Sequence, residues 1–212
     1  MLTSVIVPVK NRADMSARFI YSFREYHSDD IELVFVNDGS TDGTKVLLEH
    51  MGVTRYNSDV SKGFPSSCNI GASIAQGDFY IFVNNDVLIS GNFVTPVLQA
   101  YQKDPDRLIG AELLEQDTGW NRFGELIVPY IPGWFMACSV EMFEDLGGFD
   151  EAYSPGDFED VDFSYSAIQR GYRLCKVSVP IKHIGGQSFG YTPERRERTL
   201  RNRLYFKEKW GL

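Results

Sequence analysis

Residues 78–87 read DFYIFVNNDV, an apolar run that ends in two amides and a carboxylate. Residues 79–83 are rich in aromatic and β-branched side chains and carry no charge, which is typical of a strand buried on both faces of a parallel sheet. Asn84, Asn85 and Asp86 would then lie at the carboxyl end of that strand, where open α/β sheets bind ligands. Asp86 is therefore a candidate ligand for a metal or a sugar, although Asn and Asp also favour plain turns.

The chain before this stretch alternates strands with helices. Strands are predicted at residues 2–9 and 31–36, each followed by a polar loop and a predicted helix. Two such units within fifty residues predict a parallel sheet with right-handed crossovers, so the predicted fold class is α/β. Asp38 follows the second strand and would share a sheet edge with Asp86, where it could bind a base or ribose or cap the next helix.

The second half of the chain is more mixed. Short strands are predicted at residues 108–114, 123–128 and 134–140, with a turn at 117–119. No linker-like composition separates the halves. We therefore expect one domain over residues 1–212, with a nucleotide-binding half of about residues 1–90 and an acceptor-side half of about residues 91–212.

Composition narrows the class of protein. The 212 residues are 43% hydrophobic and 24% charged, as in ordinary globular proteins. A net charge of -8 argues against a nucleic-acid partner, which normally meets a basic surface. Three cysteines without CxxC spacing indicate neither a disulfide framework nor a thiolate zinc site and suit a reducing compartment. Without a signal-peptide pattern or a long apolar span, we expect a cytoplasmic protein.

Four carboxylates fall within six residues near the start of a predicted helix: Asp157, Glu159, Asp160 and Asp162. Asp157 is the predicted N-cap, and acids in a first turn complement the helix dipole. Their number exceeds what capping requires. Close like charges repel unless a cation or a substrate hydroxyl offsets them, so a functional site is the other interpretation.

The last fifty residues add a histidine and a basic helix. His183 follows a predicted strand over residues 174–181 and opens a glycine-containing loop that would let the backbone approach a ligand, although a structural histidine is the commoner case. Residues 193–210 form a predicted helix, with five arginines and two lysines against three glutamates between residues 194 and 209. Such a helix could bind phosphate or a partner, or it could present a solvated face.

Together these segments resemble the family 2 glycosyltransferases. The matching segments run in order along nearly the whole chain: SVIVPVKN, VNDGSTDGT, SKGFPSSCNIGASIAQGDFYIFVNNDV, GWFMACSVEMFEDLGGFDE, FEDVDFSYSAIQRGY and VPIKHIGGQS. The resemblance implies the GT-A fold, with a mostly parallel central sheet, helices on both of its faces and a smaller mixed sheet on the acceptor side. It also implies inverting transfer of a hexosyl unit from a nucleotide sugar, with UDP as the first expectation, to a glycan hydroxyl. The implied cofactor is Mn²⁺ or Mg²⁺, with Mn²⁺ preferred.

By position, the resemblance assigns six residues to the nucleotide sugar: Pro8, Asn11, Asp38, Asn69, Asn84 and Asn85. Residues 84–86 stand where the family usually has Asp-x-Asp, so the first acid is an amide here and Asp86 is the expected metal ligand. His183 matches a histidine that assists at the metal or the diphosphate. Glu159 and Asp160 match the acidic pair that includes the catalytic base, with Asp160 preferred. Trp134 lies where acceptor contacts are made.

Two other classes stay open at this stage. A sugar-1-phosphate nucleotidyltransferase would share the architecture and the metal. It should, however, have a glycine-rich basic loop after the first strand, and residues 9–12, VKNR, contain no glycine. A non-catalytic sugar- or nucleotide-binding module would suit the amide at Asn84. The retained Asp86, Asp160 and His183 argue against it.

Overall fold

The computed structural model describes residues 1–28, 30–114, 122–123, 126–185 and 192–212. The strands are β1 Thr3–Val9, β2 Ile31–Asp38, β3 Thr54–Ser58, β4 Phe79–Val83, β5 Val87–Ile89, β6 Arg107–Gly110, β7 Arg122–Phe123, β8 Leu126–Ile127, β9 Phe135–Ser139, β10 Arg173–Lys176 and β11 Ile181–His183. The helices are α1 Ala13–Tyr26, α2 Thr44–Met51, α3 Phe64–Ile74, α4 Val94–Lys103, α5 Val140–Leu146, α6 Glu159–Gln169 and α7 Pro193–Trp210.

A seven-stranded sheet in the order β10-β6-β9-β4-β1-β2-β3 forms the centre of the molecule. Its pairings are parallel except those of β9, which runs antiparallel to β4 and β6. The predicted α/β class with a mostly parallel sheet is confirmed. The strands β6, β9 and β10 of the second half extend this sheet, and the smaller pieces are the antiparallel ribbons β5-β11 and β7-β8.

Two apolar layers bury the central strands. Val5 and Val7 of β1 pack in the layer formed with α1, α2 and α4, whereas Ile6 between them packs with Cys68 and Ala72 of α3 on the opposite face. Full burial of one such aliphatic side chain contributes about 1.5–3 kcal/mol. The central strands therefore give a rigid base to the loops at their carboxyl ends.

Two local predictions were wrong. The residue in the N-cap position of α6 is Phe158, not Asp157, and both residues have left-handed backbone, with φ of 80° and 72°. The predicted strand at 174–181 is instead the two strands β10 and β11, which belong to different sheets. Pro180 lies between them and its carbonyl accepts a hydrogen bond from Ser90, which turns the chain toward β5. The turn predicted at 117–119 lies outside the described residues.

The reversed direction of β9 brings a distant segment to the sheet edge where β4 ends. Val83 pairs with Phe135, and the backbone amide of Asn84 donates to the backbone carbonyl of Trp134 at 3.0 Å. The entry into β9 therefore lies beside residues 84–86. In the described part of the chain, none of the helices has the length and apolarity to cross a membrane.

Candidate active site

Two adjoining cavities open at this edge of the sheet. The first is lined by residues of the β1, β2 and β4 ends, including Pro8, Asp38 and Asp86. The second is lined by the entry to β9 and the start of α6, including Trp134 and Asp160. The two cavities share four lining residues: Phe64, Asn84, His183 and Arg195. The two cavities therefore adjoin at these four residues.

Asp38 shapes the wall of the first cavity. Its carboxylate accepts hydrogen bonds from the Ser61 hydroxyl at 2.6 Å and from the amides of Lys62 and Gly63 at 2.6 and 3.0 Å. Gly63 has a φ of 95°, and a Cβ atom there would lie 2.5 Å from the Pro155 Cα, so only glycine fits this approach. Asp38 thus fixes the loop over the cavity and lines the cavity itself.

Two predicted nucleotide contacts have other partners. Neither Asn11 nor Asn69 is among the described residues that line the two cavities. The Asn11 side-chain oxygen Oδ1 accepts from the Thr41 backbone amide at 2.8 Å, which ties the loops after β1 and β2 together. The Asn69 side chain exchanges two hydrogen bonds with the Phe149 backbone, at 2.8 and 2.9 Å, and so joins α3 to the loop after α5.

The two amides after β4 differ in their surroundings. Asn85 is buried and donates to the Ser16 hydroxyl at 3.0 Å, so it ties the strand end to α1 while lining the first cavity. Asn84 lines both cavities. This is the position from which an amide could hydrogen-bond a sugar placed between them.

Asp86 and His183 form the candidate metal site. The β5-β11 ribbon pairs His183 with Val87, and this brings His183 Nε2 to 3.2 Å from Asp86 Oδ1. Within the described residues no cluster of three or more metal-binding His, Cys, Asp or Glu side chains occurs. Two protein ligands still fit a divalent cation of the kind that substrate phosphates help to hold. An imidazole and a carboxylate together suit Mn²⁺ better than Mg²⁺.

Trp134 contacts this pair directly. Its ring stacks on the His183 imidazole with centroids 4.7 Å apart and planes 8° from parallel. The indole Nε1 donates to Glu112 Oε2 at 3.3 Å, which fixes the ring plane. Trp134 was predicted to contact the acceptor. It does line the second cavity, and its ring face also packs on His183.

The acidic pair at the start of α6 has two distinct environments. Asp160 accepts hydrogen bonds from the amides of Gly133 and Val161, both at 2.9 Å, and burial raises its pKa to about 6. Glu159 is buried, and its Oε2 has no hydrogen-bond partner among the described residues. Burial, followed by the nearby charge of Asp160, holds the pKa of Glu159 well above its usual range. The buried environment of Glu159 therefore favours its neutral form more than that of an exposed glutamate.

The other two acids of this cluster are neutralised by α7. Asp157 binds Arg195 and Arg198 at 2.7 and 2.6 Å. Asp162 binds Lys209 at 2.8 Å and accepts from the Trp210 indole at 2.8 Å. The excess of acids seen in the sequence is thus matched by the basic helix, without a cation or substrate at these two positions. The sequence signal for this pairing was the reversal of charge sign along residues 194–209.

The fold is the GT-A fold of glycosyltransferases. The chain superimposes on the mannosyltransferase PcManGT from Pyrobaculum calidifontis, in complex with GDP-Man and Mn²⁺, with a TM-score of 0.71, 18% identity and coverage of 97% of this chain and 69% of that one. It superimposes on GalNAc-T7, with UDP, GalNAc and Mn²⁺, with a TM-score of 0.75, 17% identity and coverage of 98% and 48%.

Sequence comparison gives the family. Residues 4–156 match the model of glycosyl transferase family 2, and the chain belongs to that family. A pre-mycofactocin glycosyltransferase of Mycobacterium tuberculosis is 25% identical over 194 residues, which cover 81% of this chain. The chain spans 40% of that relative's length. The family resemblance seen in the sequence motifs is confirmed.

Proposed function

We propose that this chain is a metal-dependent, inverting glycosyltransferase that moves a hexosyl unit from a nucleotide sugar to a hydroxyl of a glycan acceptor, with a UDP-sugar as the first candidate donor. One observation carries the proposal. The Asp86-His183 pair and the Asp160 carboxylate line adjoining cavities that share Asn84. The complexes of the structural neighbours with GDP-Man or UDP and Mn²⁺ support a nucleotide-sugar donor.

The first cavity would hold the donor. Asp86 and His183 would bind the divalent cation, and the stacked Trp134 would keep the imidazole in one orientation. When bound, Mn²⁺ or Mg²⁺ supplies a Lewis acid that offsets the charge gained by the departing diphosphate. The loop fixed by Asp38 closes the wall beside the nucleotide.

The second cavity would hold the acceptor. Asp160 would take the proton of the attacking hydroxyl, and the Gly133 amide would hold its carboxylate in place. Burial raises the pKa of Asp160 to about 6, which is close to the working pH and so suits a group that accepts a proton. Attack from this cavity on an anomeric carbon whose leaving group lies in the first cavity proceeds with inversion.

A donor panel tests the proposal. The protein is incubated with UDP-, GDP- and dTDP-sugars, with and without Mn²⁺, and release of the nucleoside diphosphate is measured. We expect Mn²⁺-dependent release from at least one donor, its loss in Asp86→Asn, and its retention in a control variant of the exposed Glu49, Glu49→Gln. Nucleotide binding without release, with or without added glycans, would favour a non-catalytic binding module. If the protein neither binds a nucleotide nor releases one from any donor, the proposal is refuted.

A further inference from the structure

The shared wall of the two cavities contains a cation that the family resemblance does not assign. Arg195, in the first turn of α7, lines both cavities. We propose that Arg195 binds the diphosphate of the donor and stabilises it as it leaves. This inference rests on the proposed function, since it names a further catalytic residue of the same site.

The position of Arg195 is fixed by Asp157. Arg195 Nε and Nη2 lie 3.0 and 2.7 Å from Asp157 Oδ1. Arg198 approaches the other oxygen of the same carboxylate, with Nη2 2.6 Å from Oδ2. One carboxylate between two guanidinium groups leaves these three side chains with a net charge of +1. An anion in the adjoining cavity is attracted to such a cluster.

Only one of the two arginines reaches the cavities. Arg195 is among their lining residues, whereas Arg198, one helical turn further along α7, is not. Both make an ion pair with Asp157, and both side chains are largely buried. Their different access to the cavities separates a ligand-binding role from a structural one.

The backbone that holds this cluster is strained. Asp157 and Phe158 are adjacent non-glycine residues with φ of 72° and 80°. Such conformations are unfavourable for residues with a side chain and persist only where the surroundings enforce them. Here α7 enforces them, because the Asn202 side chain donates to the carbonyls of Tyr153, Gly156 and Asp157 at 2.7–3.0 Å, and Phe158 packs beside Phe206. The same strained turn presents Asp157 to Arg195 and begins the helix that carries Asp160.

The reaction gives this cation a function. As the acceptor oxygen forms its bond to the anomeric carbon, the bond from that carbon to the diphosphate oxygen breaks and its electron pair stays on the diphosphate. The acceptor proton passes to Asp160. The diphosphate gains negative charge in this step, and a guanidinium, which remains protonated at every working pH, can offset it with charge-assisted hydrogen bonds. Arg195 would act together with the cation held by Asp86 and His183.

The matched variants Arg195→Ala and Arg198→Ala test the inference. Each removes one ion pair with Asp157, so both should lower the melting temperature. Calorimetry then measures binding of inorganic diphosphate, UDP and uridine in the presence of Mn²⁺. We expect Arg195→Ala to weaken diphosphate and UDP binding about 10- to 100-fold, the loss typical of a hydrogen bond to a charged group, with uridine unchanged. Arg198→Ala should change all three affinities by less than about twofold.

Equal losses in the two variants would overturn the inference and leave both arginines as structural residues. If the parent binds UDP and turns over a donor while Arg195→Ala binds UDP equally well, the inference fails and the proposed function stands. If the parent binds neither diphosphate nor any nucleotide, both fail. Should Arg195→Ala not fold, Arg195→Lys and Arg198→Lys give the same comparison, because lysine keeps the ion pair and loses the two-pronged contact.

Discussion

Replacing Asp160 by Asn should strongly lower transfer activity and, at the same time, change how the stability of the protein depends on pH. Burial raises the pKa of Asp160 from 3.8 to about 6, so the folded state binds a proton more tightly than the unfolded state. The stability gained from this protonation is complete below pH 3.8 and is lost as the pH rises through 6. At about 1.36 kcal/mol per pKa unit, ionised Asp160 costs the fold about 3 kcal/mol at pH 8.

The Asn variant does not carry this cost. Its amide also loses one of the two hydrogen bonds from Gly133 and Val161, and this lowers stability at every pH. The diagnostic quantity is therefore the difference in unfolding free energy between variant and parent. We expect that difference to shift by about 2–3 kcal/mol in favour of the variant between pH 4 and pH 8. Urea denaturation at several pH values measures it.

Activity supplies the second half of the test. If Asp160 is the base, Asp160→Asn should lower transfer by about 10²- to 10⁴-fold while nucleotide affinity is kept. Glu159→Gln is the matched control, because Glu159 is adjacent to Asp160, is buried, and has a pKa that burial raises. A variant of Asp160 that keeps most of its activity, with a stability difference that does not vary with pH, would leave Asp160 as an acid that only complements the helix dipole.

Three shorter predictions follow from other contacts. Asp86→Ala should abolish the Mn²⁺ dependence of nucleotide binding in calorimetry with little change in melting temperature, and an unchanged dependence would remove Asp86 from the metal site. Trp134→Ala should weaken Mn²⁺ binding by about tenfold, because the His183 ring loses its stacking partner. Trp134→Phe should restore most of the Mn²⁺ affinity, and equal Mn²⁺ affinities in the Ala and Phe variants would argue that stacking does not orient His183. Burial lowers the pKa of His27, whose Nε2 accepts from the Phe93 amide, so the neutral ring stabilises the fold above pH 6.5 and this contribution is lost as the pH falls. In urea denaturation, the parent should have a higher unfolding free energy than His27→Gln, and this difference should shrink below pH 6.5. A difference that does not change with pH would contradict the prediction.

The sequence predicted the central strand and the sheet edge because both depend on local signals. β4 has the predicted bounds, since five consecutive apolar residues are enclosed by Asp78 and Asn84. The convergence of Asp38 and Asp86 follows from parallel strands that end at one edge. Helix α7 was likewise predicted from residue 193, because Pro193 and the following charged residues are typical of a helix start.

Partners distant in the sequence could not be predicted in this way. Asn69 binds a backbone 80 residues away, and nothing in its own segment indicates this contact. The three-residue strand β5 is too short for a periodic pattern, and its partner β11 lies more than 90 residues further along. Asp157 resembled an N-cap because the pattern of an acid before a helix is the same whether its carboxylate caps the helix or binds an arginine of α7.

The entry into β9 explains how the two cavities keep a fixed relation to each other. The Gly133 amide holds the Asp160 carboxylate, while the neighbouring Trp134 holds Asn84 through its carbonyl and His183 through its ring. The proposed inverting transfer would require the base and the leaving group to stay on opposite sides of one carbon, and a misplacement of about 1 Å can cost 10²-fold in rate. Here one dipeptide, at the start of a fully buried strand, contacts both the candidate base and a candidate metal ligand. The Gly133-Trp134 dipeptide therefore couples the position of the candidate base to that of the candidate metal ligand.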